Sequence, residues 1–184
     1  FHEDGEQQGA SSGNQVDDAR HVVKAPAIFG QATYSFGNGV SVVAGLRYTR
    51  ETTDYFALTL GSAAGDQVGH STFSSTTPKL GVNWEVNPHL FTYASWTRGT
   101  RSGGFNSRDP RTAEIKPTPY GAEWVDSYEV GAKLSSTDNR FRLNATAFVA
   151  DYDDLQLVTF IPEVAITATL NAGAARISGI ELEP

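Results

Sequence analysis

Apolar and polar residues alternate one for one along most of this 184-residue chain. Ile28, Gly30, Ala32, Tyr34 and Phe36 interleave with Gln31, Thr33 and Ser35, and Val42, Ala44, Leu46 and Tyr48 with Ser41, Gly45, Arg47 and Thr49. Leu80, Val82, Trp84 and Val86 alternate with Lys79, Gly81, Asn83 and Glu85; Tyr128, Val130, Ala132 and Leu134 with Glu129, Gly131 and Lys133. Phe141, Leu143, Ala145, Ala147 and Val149 stand against Arg142, Asn144 and Thr146, and Ile180 and Leu182 against Gly179, Glu181 and Glu183. Period two marks strands with two unlike faces. No segment shows the 3.6-residue period and caps of an amphipathic helix. The segment LFTYASWT, residues 90–97, has apolar residues in both registers, so its facing stays open.

The connections alternate in length. Gly37-Asn38-Gly39, Asn87-Pro88-His89 and Ser135 to Asn139 are short turns, whereas residues 51–75, the stretch from Arg98 to Glu123 and the segment before the closing strand are long and polar. Long loops at one end and short turns at the other are the asymmetry of an outer-membrane barrel, and a soluble sandwich has no reason to obey it. Aromatic residues of the apolar face (Tyr34, Phe36, Tyr48, Trp84, Tyr128, Phe141) fall near strand ends, with Ala, Leu and Val in the middles. Strands favour aromatics in any case, but placement at the ends matches girdles around a hydrocarbon band.

The other face carries Arg47, Lys79, Lys133 and Arg142 with Glu85, Glu129, Glu181 and Glu183. Unpaired ions cannot fill a dry core, because each costs several kcal/mol; this face requires water or a polar filling. The fold expected is therefore all-β: an antiparallel up-and-down transmembrane β-barrel segment of about seven strands in an open curved sheet. Residues 1–25, polar and Gly/Ser/Gln-rich, read as part of an extracellular loop, and residues 26–184 as partial barrel.

Composition narrows the function classes. Only 39% of residues are hydrophobic and 19% charged, which suits strands with one wet face. A net charge of -7 argues against a nucleic-acid partner. With no cysteine, thiolate chemistry and disulfides are excluded. No run approaches the ~18 apolar residues of a membrane-spanning helix, a test that β-barrels escape.

The segments AIFGQATYSFGNGVSVVAGLRYTRETTDY, TPKLGVNWEVNPHLFTYASWTRGTRSGGFN, DSYEVGAKLSSTDNRFRLNATAFVADYDDLQ and NAGAARISGIELE resemble, in order and hairpin spacing, successive barrel segments of TonB-dependent outer-membrane receptors of Gram-negative bacteria, most closely the siderophore-receptor-like ones. The resemblance covers about residues 25 to 183. It implies a 22-stranded parent barrel enclosing a plug, in the bacterial outer membrane, importing a scarce ligand such as a ferric siderophore. The chain shows no TonB box, no plug sequence and no closing strand with a terminal aromatic, so it reads as a piece of the barrel's middle. TonB would be a partner only through missing parts of the parent, and ISGIELEP reads as a wall strand cut short.

The candidate ligand site is the stretch TRGTRSGGFNSRDPRTAEIK. It carries Arg98, Arg101, Arg108, Arg111 and Lys116 against Asp109 and Glu114, and includes Phe105. Guanidinium groups suit an anionic iron chelate by charge and by bidentate hydrogen bonding. The same arginines also suit a solvated loop or the phosphates of lipopolysaccharide, and Gly103-Gly104-Phe105 suits a turn. Outer-membrane lipid and lipopolysaccharide are the expected surroundings.

Other groups carry less. His2, Glu3, Asp4 and Glu6 lack metal-site spacing; His21, His70 and His89 read as isolated; Asp151, Asp153 and Asp154 read as a solvated strand end, open to divalent bridging to lipopolysaccharide. Asn144 begins a formal glycosylation triplet without meaning in mid-strand. No catalytic elbow, phosphate loop or dinucleotide fingerprint is present, so neither an enzyme nor a cofactor is expected. Two rival architectures are a complete eight-stranded barrel and a soluble β-sandwich acting as a binding module or adhesin.

Overall fold

The computed structural model describes residues 2–7, 18–58, 66–138 and 140–184. Its strands are β1 (His2–Gln7), β2 (Asp18–Lys24), β3 (Ala27–Gly37), β4 (Val40–Leu58), β5 (Gln67–Asn87), β6 (Leu90–Arg101), β7 (Gly104–Arg108), β8 (Ile115–Tyr120), β9 (Glu123–Ser135), β10 (Arg142–Asp153), β11 (Gln156–Ile161), β12 (Ile166–Asn171) and β13 (Ala175–Glu183). Nine of them form one antiparallel sheet along the path β1-β2-β4-β5-β6-β9-β10-β13, with β3 also on β4; β7-β8 and β11-β12 are separate hairpins.

The expected seven wall strands are present once β2 and β3 are read as one strand. Both pair with the same side of β4, β2 with its upper residues Thr52 to Leu58 and β3 with its lower residues Val40 to Thr49. The break falls at Ala25-Pro26, where Pro26 has no N–H for the ladder but its carbonyl still accepts from the Arg50 N–H at 3.0 Å. The sheet is open: β1 and β13 end the path and do not pair, so it is not a closed eight-stranded barrel. No second sheet covers the apolar face among the described residues, where Ile28, Val130 and Ile180 are 73%, 55% and 77% exposed.

The short turns hold the register. Asn38 and Gly39 form a two-residue hairpin turn with φ of 50° and 75°, the positive values that turn requires. A side chain at Gly39 would also strike the Glu85 carbonyl, which lies 2.2 Å from where its Cβ would sit. In the second turn the Asn87 Oδ1 accepts the His89 N–H at 2.8 Å.

The polar segments hold more strand than their composition suggests. Residues 18–24, expected as loop, pair with 52–58, and the expected loop around 51–75 is a β4-β5 hairpin paired without a slip from Val40–Trp84 to Ala57–Gln67. Thr, Tyr and Phe favour strands there without any apolar alternation to announce it. The β5-β6 ladder stops at Lys79–Thr97, beside Pro78, which has no N–H to offer; above that point β5 continues with β4 alone.

Candidate functional site in the cap and on the polar face

Cross-strand register fixes the two faces. One row runs Val42, Val82, Ala94, Val130, Ala147, Ile180 across six strands, and the next runs Ala44, Leu80, Trp96, Tyr128, Val149, Ser178. This settles the facing of β6: Leu90, Thr92, Ala94 and Trp96 join the apolar face, and Phe91, Tyr93, Ser95 and Thr97 the polar one.

All eight charges expected on the polar face lie there. Glu85, Phe91, Lys133, Asn144 and Glu183 form one row, Tyr93, Gly131, Thr146 and Glu181 the next, and Ser95, Glu129, Phe148 and Gly179 a third. Lys79 pairs with Gly45, Arg47 with Phe29 and Arg142 with Ser135. The Arg47 guanidinium carbon sits 5.8 Å from the centre of the Phe29 ring. Glu181 and Glu183 form no ion pair with Arg142 or Lys133 among the described residues; Glu183 accepts from Asn144 Nδ2 at 3.4 Å.

Aromatic rings cover glycines on this face. A Cβ at Gly131 would come within 2.4 Å of the Tyr93 ring, and one at Gly179 within 2.8 Å of Phe148, so only glycine lets each ring lie flat across the neighbouring strand. Tyr93 thereby reaches Glu129, donating its hydroxyl to Oε1 at 2.6 Å, and lies 3.2 Å from the Thr146 hydroxyl. Neither ring was singled out from sequence, because β6 had no assigned facing and Phe148 stands on the polar register of β10.

At the long-loop end the two hairpins form a cap over the polar face. Phe105 of β7 packs on Tyr55 of β4, ring centres 6.0 Å apart, and against Gly69 of β5, whose Cβ would meet the ring at 3.0 Å. Tyr55 lies on the polar register and is 2% exposed; burial pushes its hydroxyl pKa up. Phe105, a candidate ligand contact, is thus a packing anchor. His21, opposite Tyr55, stacks edge-on against it at 4.8 Å.

Three amide side chains stitch the hairpins together. Asn106 donates from Nδ2 to the Thr169 carbonyl at 2.9 Å and accepts the Thr169 N–H at 2.8 Å. Gln156, 7% exposed, donates from Nε2 to the carbonyls of Ser102 and Gly121, both at 2.9 Å, while its N–H reaches Glu123 Oε2 at 2.8 Å. Asn171 accepts the Gly121 N–H at 2.7 Å and donates to the Asp154 carbonyl at 2.8 Å. Ser102, Gly121 and Asp154 lie outside the strands, so for them the amides supply what a ladder would. Single amides whose partners lie far along the chain have no spacing signature, and sequence reasoning missed all three.

The candidate arginines divide. Arg101, on the polar register at the top of β6, pairs across from Glu123. In the β7-β8 hairpin, Arg108 donates Nη1 to the Ala113 carbonyl at 3.0 Å, and the exposed Arg111 gives its N–H to Asp109 Oδ1 at 2.8 Å. Arg98 stands apart, on the apolar register opposite Asp126.

The histidines are less isolated than expected: besides His21 on Tyr55, His70 Nδ1 lies 2.6 Å from Asp54 Oδ1. Asp151 faces Arg176 in a bidentate ion pair, with Nη2 2.9 Å from Oδ2. The side chains of His2, Glu3, Asp4 and Glu6 lie outside the described residues. Among the described residues no group of three or more acidic or histidine side chains has the arrangement to hold a metal.

Comparison with known proteins bears on what this arrangement belongs to. Solved structures of similar shape include the ferric yersiniabactin uptake receptor FyuA from Yersinia pestis, with a TM-score of 0.71 and 22% identity over 89% of this chain and 24% of that one. The alcaligin outer membrane receptor FauA from Bordetella pertussis has a TM-score of 0.61 and 22% identity over 91% and 28%. The FrpB iron transporter from Neisseria meningitidis has 0.62 and 19% over 89% and 23%. The chain spans about a quarter of the length of these structures, and at such identities they show the shared fold. The family model described as TonB dependent receptor-like, beta-barrel matches residues 3–183. With that match over nearly its whole length, and a sheet that is apolar on one face, polar on the other and long-looped at one end only, the chain belongs to the TonB-dependent-receptor-like β-barrel family.

Proposed function

We propose that this chain contributes wall strands and part of the external cap to a receptor that binds a ferric siderophore or a similar anionic iron chelate and carries it across the outer membrane. The observation that carries the reading is the cap itself: two hairpins fixed over the polar face by Asn106, Gln156 and Asn171, bearing Arg108 and Arg111, with Arg101 at their base. Guanidinium groups on a rigid support, in a chain of net charge -7, favour a local anionic ligand over a diffuse electrostatic attraction. The uptake receptors of similar fold, described by name as handling ferric yersiniabactin and alcaligin, support the ligand class.

The parts act in sequence in this reading. Arg101 and Arg111 meet the chelate, the cap holds it above the polar face, and the hydrated rows beneath adjoin a plug whose movement, energised through TonB, opens the path. Nothing in that sequence requires bond making by this chain. Radioactive ferric chelate uptake by cells carrying the complete protein tests the proposal. Arg101→Glu with Arg111→Glu should lower chelate affinity about tenfold or more while barrel assembly is retained, and unchanged affinity for every chelate taken up would contradict it.

A further inference from the structure

One row of charges lies on the apolar side of the wall. Arg98, Asp126, Asp151 and Arg176 stand opposite one another on β6, β9, β10 and β13, one step above the row Trp96, Tyr128, Val149, Ser178. Two opposed aspartates would repel each other, but an arginine flanks each. Short turns mark the periplasmic end of such barrels and long loops the external end. The row therefore sits just above the external aromatic edge of the hydrocarbon band, at the level of the outer-leaflet headgroups.

The two arginines differ. Arg176 is spent on Asp151 in the bidentate pair. Arg98 is placed but not consumed: its closest approach to a carboxylate is 3.9 Å, to Asp126, which already accepts the Trp96 indole N–H at 3.0 Å. Its Nε is shielded from solvent and has no hydrogen-bond partner, and the guanidinium lies over the Trp124 ring, 5.0 Å from the centre. Phe73 meets Trp124 in turn, ring centres 5.9 Å apart. An aromatic support beneath a cation with unused donors orients it without neutralising it.

We propose that Arg98, held on Trp124, binds the phosphate of an outer-leaflet lipid, the headgroup of a lipid A-type molecule, on the outside of the wall. The adjoining cleft of about 570 Å³ in front of Tyr128, lined by Asp126, Asp151, Tyr152, Asp153 and Arg176, gives the sugar hydroxyls of such a headgroup carboxylate acceptors. This assignment rests on the outer-membrane wall and not on the iron-chelate reading, so either can fail alone.

The test uses the complete protein in nanodiscs of phosphatidylcholine, with diphosphoryl lipid A or a dephosphorylated lipid A added, and measures by native mass spectrometry the lipid that stays bound. The wild-type protein should retain diphosphoryl lipid A about tenfold more tightly than the dephosphorylated form, Arg98→Gln should abolish that difference, and Arg142→Gln on the opposite face should leave it intact. Equal retention of both lipids by the wild-type protein overturns the proposal whether or not the variant assembles. Retention unchanged in Arg98→Gln, or displacement of lipid A by millimolar inorganic phosphate, which would make the site one for free anions, overturns it as well.

Discussion

Thr53, Tyr55, Ala57, Gly69, Ser75, Gln156 and Ala168, the described residues most shielded from solvent, all lie in the cap and the upper β4-β5 hairpin. The wall below has none, and large apolar side chains of its outer face, Ile28, Tyr34, Leu80, Trp84 and Ile180 among them, stand in the open. The cap holds itself together as a soluble protein does, with a small core and satisfied amides, whereas the wall is incomplete without an apolar medium against one face. Its strands are joined by backbone ladders, and apolar burial comes from lipid. The same chain obeys two solvents, and the row of Arg98, Asp126, Asp151 and Arg176 marks the boundary between them on the outside.

The contrast can be broken most severely in the middle of the wall. Val130→Arg places a cation in the apolar row and should destabilise the lipid-reconstituted protein by about 2–4 kcal/mol, read by denaturant unfolding. Ser95→Arg, opposite Glu129 on the other face, should cost far less. Equal costs would mean the two faces meet the same medium.

A cap lesion should stay in the cap. Gln156→Ala leaves the carbonyls of Ser102 and Gly121 without their donor, at about 1–3 kcal/mol for the buried groups. Hydrogen exchange should quicken in both hairpins, residues 102–122 and 154–172, and stay unchanged in β9. A change confined to one hairpin would show that the amides do not join them.

On the polar face, Tyr93→Phe removes the hydroxyl that Glu129 accepts while keeping the ring over Gly131. A loss of about 1 kcal/mol is expected, smaller than for Val130→Arg because water can replace the donor. A loss as large as that of Val130→Arg would indicate a dry interior.

The smallest effect is one of pH. Partial burial pushes the His21 imidazole pKa below its ordinary value of 6.5. The folded cap therefore favours the neutral ring, and its contribution to stability is present above that ordinary value and is lost as pH falls below it toward the depressed one. Protection at residues 18–24 and 52–58, after allowance for the pH dependence of intrinsic amide exchange, should fall on acidification from about pH 7.5 to about pH 5.5, with no matching change in the wall.

Much of the wall was legible because a half-buried strand writes its two faces into alternate residues. All eight charges assigned to the polar face and the apolar series from Ile28 to Leu182 follow from that alone. Strands β2 and the upper parts of β4 and β5 were not legible, since segments such as Glu51 to Asp54 have polar residues on both faces. Arg98 shared a charged stretch with Arg101 and Arg108, and only the facing of Trp96 two residues earlier separates it from them. The clamps at Asn106, Gln156 and Asn171 depend on partners about 15 to 65 residues away and leave no local trace.

Strand β6 offers the sharpest test, because its facing came from register and not from its own sequence. The chain has no cysteine, so single cysteines at each position from 90 to 97 can carry a spin label in lipid vesicles, with accessibility to oxygen compared against a water-soluble nickel chelate. Labels at Leu90, Thr92, Ala94 and Trp96 should favour oxygen and those at Phe91, Tyr93, Ser95 and Thr97 the chelate, in strict alternation. A uniform profile, or the opposite phase, would contradict a wall with one face to lipid and one to a hydrated lumen.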